Sequence, residues 1–187
     1  MRVSSASAAS GIRGGRNPSE RGFTLFELLV VVGIISAILA IAIPMLMRAR
    51  MAANESSAIG SLRTVNTAQA GYAESAARGG YATQLSVLAL PCPGGTIGFI
   101  SPDLAMDPSQ RSGYVITLDP GTATPGPDDC NGTASRSGYY LTGVPISAGR
   151  TGHRAFATSQ RAVLFVDPNG AAPTEAQMAL GTATALQ

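Results

Sequence analysis

From Phe23 to Met47 the chain is apolar but for a few small hydroxyl and glycine positions and one carboxylate, Glu27; as a helix these 25 residues would span the hydrocarbon of a bilayer. Past Met47 the composition changes but the period does not. Ala58, Leu62, Val65, Gln69, Tyr72 and Ala76 recur at steps of three and four, which places them on one largely apolar face of a continuing helix, suited to packing on a sheet. Glu74 and Arg78 stand in the favoured order for an i,i+4 pair, and Gly79-Gly80 ends the helix. A straight rod from Phe23 to Ala77 is about 82 Å long. Pro44 kinks it, because its ring clashes with the preceding turn and its nitrogen carries no proton.

Beyond Gly80 the pattern shortens. Thr83 to Leu90 reads as a short helix or strand, Pro91-Cys92-Pro93-Gly94-Gly95 breaks the chain, and residues 91–112 read as loop. Four strands are expected, at Tyr114–Leu118, Tyr139–Val144, Arg154–Thr158 and Ala162–Val166, separated by Gly, Pro, Asp and Asn clusters and forming an antiparallel meander. Asp167-Pro168-Asn169-Gly170 closes the last of them with a turn, and the Ala- and Thr-rich tail from Ala171 reads as poorly ordered.

Composition narrows the picture. With 187 residues, 13% charged, no Trp, no Lys and a single His, the chain holds one anchor and one small, loop-rich domain. Residues 1–22 carry Arg2, Arg13, Arg16 and Arg21 against Glu20; without them the remainder has nine Arg and ten acidic residues, a side-chain charge of −1, and no clear nucleic-acid site. Arg48 and Arg50, just past the apolar run, oppose the positive-inside orientation that the leader favours. Cys92 and Cys130 are the only cysteines. In an oxidising compartment they are expected to pair, closing a loop whose constraint contributes roughly 4 kcal/mol on the chain-entropy model; two free thiols are the other reading.

The segment Arg21-Gly22-Phe23-Thr24-Leu25-Phe26-Glu27-Leu28, followed by the all-apolar run, resembles the type IV prepilin N-terminus shared by pilins and the pseudopilins of type II secretion. The resemblance implies an α+β fold, a long N-terminal transmembrane helix on a small antiparallel sheet with a loop-rich C-terminal region. It implies a leader, 1–22, removed by a prepilin peptidase that cuts after Gly22 and methylates Phe23. Residues 23–47 are then the membrane half of the helix, 48–78 its amphipathic half, and 79–187 the head with a flexible tail. Glu27 falls on the family's glutamate, which neutralises the N-terminal amine of a neighbouring subunit; a buried pair of opposite charges is tolerable where either alone is expensive. Gly33, Ser36, Ala37 and Ala40 put small side chains on successive turns and let another helix approach. The expected partners are the prepilin peptidase, related pilin subunits, an inner-membrane assembly platform and, before assembly, lipid. The expected location is the bacterial inner membrane, N-terminus cytoplasmic, then an external filament.

Other readings compete. Glu27 on a plain anchor would only snorkel to the interface, and Ala40-Ile41-Ala42 offers a secretory cleavage site after the apolar run. A pseudopilin is the alternative filament subunit, although the Trp-Gly-Asn stretch expected of major pseudopilins is missing and the two cysteines point the other way. An enzyme has little support: His153 stands alone, there is no nucleophile elbow, and no phosphate-binding loop or cofactor motif occurs. Asp103, Asp107, Asp119, Asp128 and Asp129 lack EF-hand spacing and read as solvated loop carboxylates; Asn131-Gly132-Thr133 is a sequon.

Overall fold

A computed structural model describes residues 22–186. The leader, with its four arginines, lies outside the described residues except for Gly22. The chain divides into two units that part between Ala42 and Ile43. Helix α1, Leu25–Ser75, runs unbroken through Pro44 and belongs to both.

In the second unit, α1 turns toward the core the face that its spacing predicts. Ala58, Leu62, Val65, Gln69 and Tyr72 are buried, and Glu55, Ser61, Asn66 and Ala68 are buried with them. The six-stranded sheet beneath contains β1 (Ser109–Arg111), β2 (Tyr114–Asp119), β5 (Tyr140–Pro145), β6 (Ala155–Ser159), β7 (Phe165–Asp167) and β8 (Thr184–Ala185), antiparallel throughout and in that order. Alternation sets its buried face: Tyr114, Ile116 and Leu118 point inward from β2, and Leu141 and Gly143 from β5. At Gly143 a Cβ would stand 3.3 Å from Leu62 Cδ1, so the missing side chain is what admits the leucine of α1.

Polar groups taken into this core are paired. Gln69 donates to Ala82 O (2.8 Å) and accepts from Ala82 N (2.9 Å), while Asn66 donates to Thr158 Oγ1 (3.1 Å) and accepts from the Tyr139 hydroxyl (3.0 Å). Each bond offsets the cost of burying an amide, and the pairs fix α1 to the sheet and to the chain that follows it.

Several expectations change. Helix α1 ends at Ser75, not at Arg78: Arg78 takes φ 50° and Gly79 φ 96°, so Arg78 leaves the helical spiral and makes no ion pair with Glu74. Thr83–Leu90 resolves into helix α2, Leu85–Ala89, whose first amides donate to the Asp107 carboxylate at 2.7 and 2.9 Å. The 91–112 loop contains a 3-10 turn at Pro102–Leu104 and edge strand β1. A separate hairpin, β3 (Pro125–Asp128) with β4 (Ala134–Arg136), interrupts the meander. The tail is built rather than irregular: helix α3, Glu175–Ala179, has a Thr174/Gln177 capping box, and β8 pairs with β7.

Candidate functional site

Helix α1 begins with a reciprocal cap. The Thr24 hydroxyl accepts from Glu27 N (3.1 Å), and Glu27 Oε2 accepts from Thr24 N (3.1 Å) and from the Thr24 hydroxyl (3.0 Å). Thr-x-x-Glu is the capping-box pattern, and Thr24-Leu25-Phe26-Glu27 carries it within the segment on which the prepilin resemblance rests. The cap satisfies backbone and hydroxyl donors of the first turn, and it aims the carboxylate at the start of the helix, where negative charge is favoured. Phe23, 87% exposed, precedes it, and Gly22 has open space around its Cα. Glu27 Oε1 has no partner among the described residues, so the carboxylate retains acceptor capacity at the end of α1 next to Phe23.

From Gly22 through Arg50 every residue is exposed. Among the described residues, α1 alone is long and apolar enough to cross a membrane. Gly33, Ser36, Ala37 and Ala40 fall on successive turns of it, and a Cβ at Gly33 would meet nothing within 4 Å. Pro44 supplies no amide for Ala40 O, which leaves that carbonyl without its helical donor.

In the head, Cys92 and Cys130 form a disulfide with Cα atoms 5.5 Å apart, so the free-thiol alternative falls away. Beside it Asp129, expected to be a solvated carboxylate, is buried. It accepts from the Tyr72 hydroxyl (2.8 Å) and, through Oδ1, from Asn131 N (2.8 Å) and Thr133 N (2.6 Å). The bridge and this carboxylate together tie the 129–133 turn to α1 and to the segment after α2. Burial first, and then Asp129, raises the Tyr72 hydroxyl far above its ordinary pKa.

The remaining candidate metal carboxylates are dispersed. Asp103 pairs with Arg111, Asp107 caps α2, and Asp119 accepts from Gly121 N. No group of three or more metal-ligating side chains occurs among the described residues. Asn131 of the sequon is exposed, with its amide 3.3 Å from Pro91 O.

A buried acid escaped the sequence reading. Glu55 accepts from the backbone amides of His153 (2.9 Å) and Arg154 (3.2 Å), and its other oxygen takes Arg154 Nε (2.8 Å) and Nη2 (2.7 Å). Burial pushes its pKa up, but the His153 amide, the Arg154 side chain and the Arg154 amide prevail and hold it below the usual carboxylate range. Its position was the available signal: Glu55 lies three residues before Ala58 on the predicted face. His153, the sole histidine, contributes its backbone here.

Residues 17–43 match the family model described as the prokaryotic N-terminal methylation motif. The match covers Gly22, Phe23, the Thr24/Glu27 cap and most of the apolar run. No characterised protein and no solved structure matches the chain.

Proposed function

We propose, from the prepilin-type methylation motif that this chain carries, that it is a structural subunit of a type IV pilus filament. The prepilin peptidase cuts after Gly22 and methylates Phe23, leaving a subunit held in the inner membrane by residues 23–47 with its N-terminus cytoplasmic. Assembly then exchanges lipid for neighbouring helices along the stripe of Gly33, Ser36, Ala37 and Ala40, and Glu27 receives the Phe23 amine of another subunit. The carrying observation is the motif placed directly on the capped start of α1, whose apolar stretch from Leu25 to Met47 is exposed throughout. The role is structural and the chain is not an enzyme. The disulfide-stapled head favours a pilus over a secretion pseudopilus.

Intact-mass analysis of sheared filaments tests the reading. The expected species begins at methylated Phe23, and Gly22→Ala leaves an unprocessed precursor; a mature N-terminus at Ile43 would mean signal-peptidase cleavage and would overturn it. Gene neighbourhood separates the two filament classes, since a retraction ATPase accompanies pili, whereas a secretin with exported hydrolases accompanies a pseudopilus.

A further inference from the structure

Arg48 and Arg50 stand where a filament-subunit reading gives them no task. The apolar run ends at Met47, so in the proposed membrane-anchored subunit both side chains would lie at headgroup depth on the side of the membrane where arginines are disfavoured. Among the described residues neither has an acidic partner. The fold adds a third such cation. Arg50 and Met47 line an open recess of about 340 Å³ together with Ser147, Arg150 and Thr151 from the loop between β5 and β6.

That loop is held in place. Asn54 of α1 donates to Thr151 O (2.9 Å), the Thr151 hydroxyl and amide both return to Ser147 O, and one residue further on Glu55 clamps the His153 and Arg154 amides. The backbone that carries Arg150 is therefore held at the recess that Arg50 also lines. Glu55, the acid that holds this loop, is already engaged by Arg154 and these amides. Exposed Met47 and Ile146 supply apolar surface at the same end of the head.

We propose that this recess binds the phosphate of an anionic phospholipid in the leaflet from which α1 emerges. The proposal rests on the membrane-anchored stage of the function above. Arginine forks suit phosphate oxygens, and the apolar rim suits the glycerol and upper acyl region of the same molecule. Bound there, the lipid seats the head on the membrane surface before assembly and must be released when the subunit leaves.

Native mass spectrometry of the processed full chain in neutral detergent, titrated with phosphatidylglycerol and with phosphatidylcholine, gives the preference for the anionic lipid. Each arginine near a phosphate is worth about 5-fold, so Arg50→Gln with Arg150→Gln lowers the preference about 25-fold. Arg50→Lys with Arg150→Lys retains most of it, which separates loss of charge from damage to the loop. An unchanged preference in the Gln pair overturns the proposal. If filament yield falls in that pair while the preference stays, the arginines face an acidic side chain of a neighbouring subunit instead. Processing at Gly22 is unaffected in either case, so failure here leaves the filament reading standing, and failure of Gly22→Ala to block processing leaves this titration unaffected.

Discussion

The two halves of α1 place opposite demands on their surroundings. From Glu55 to Tyr72 nine side chains are buried, and their polar members are satisfied inside the head: Glu55 by the 153–154 amides and Arg154, Asn66 by Thr158 and Tyr139, Gln69 by Ala82. From Leu25 to Met47 no side chain is buried, and the one charge is capped only by its own Thr24. The buried face of the second half is explained by the chain's own fold. The first half has an apolar surface and an acceptor without an internal account, and lipid or other helices must supply one.

The strongest test removes the charge. Glu27→Gln is expected to leave membrane residence and Gly22 processing intact, while sheared filament yield falls by about tenfold or more, because on the proposed assembly each incoming Phe23 amine is then buried without a counter-charge. Normal yield in cells lacking other pilins would make Glu27 no more than a helix cap and erase the contrast between the halves.

Next comes the head's staple. Cys92→Ser with Cys130→Ser should destabilise the head by roughly 4 kcal/mol, read by pulse proteolysis of the full chain in detergent, with methylated Phe23 still produced. Defective processing in this variant would show that the two regions are not independent.

Glu55 gives a smaller, pH-dependent effect. Its folded pKa is depressed, so its contribution is complete at neutral pH and is lost as pH falls below about 4. Glu55→Gln should cost about 1–3 kcal/mol at pH 7, and the difference from wild type should shrink on acidification in the same proteolysis assay. A difference that grew in acid would reverse the assigned direction.

The finest comparison uses two glycines, each with open space where a Cβ would go. Gly60→Ala should stabilise the head by about 0.5–1 kcal/mol through helix propensity and leave filaments unchanged. Gly33→Leu should leave the isolated subunit unchanged and lower filament yield several-fold by blocking close helix approach. Equal effects on filaments would mean that both halves face other subunits.

Legibility in the sequence follows the same division. The apolar run and the Ala58–Tyr72 face were readable because long helices repeat their pattern over many turns, and strands β2, β5, β6 and β7 emerged to within a few residues of their ends. Strands β1, β4 and β8 span three residues or fewer and, unlike the equally short β7 with its Phe165 and Val166, contain no aromatic or β-branched pair to mark them, and β3 contains Pro125 and Pro127, which argue against a strand unless it sits at an edge. The tail was misread because Ala and Thr dominate its composition, while the Thr174-x-x-Gln177 cap that starts α3 is a local signal. The motif alone singles out Gly22, Phe23 and Glu27 as candidates. Glu55 and Asp129 were not legible, because a single sequence does not tell a buried carboxylate from a solvated one when its donors are backbone amides far along the chain.

The sheet has a further property, its order of construction. Apart from the β3–β4 excursion, every strand lies next to the one that precedes it in sequence, so a chain delivered amino end first can add each strand to an edge already formed. The last addition is β8, with Leu186 N donating to Leu164 O at 2.8 Å. A chain truncated before Thr184 would present the outer edge of β7 bare, a ready pairing surface for other strands, so β8 serves as the cover of that edge.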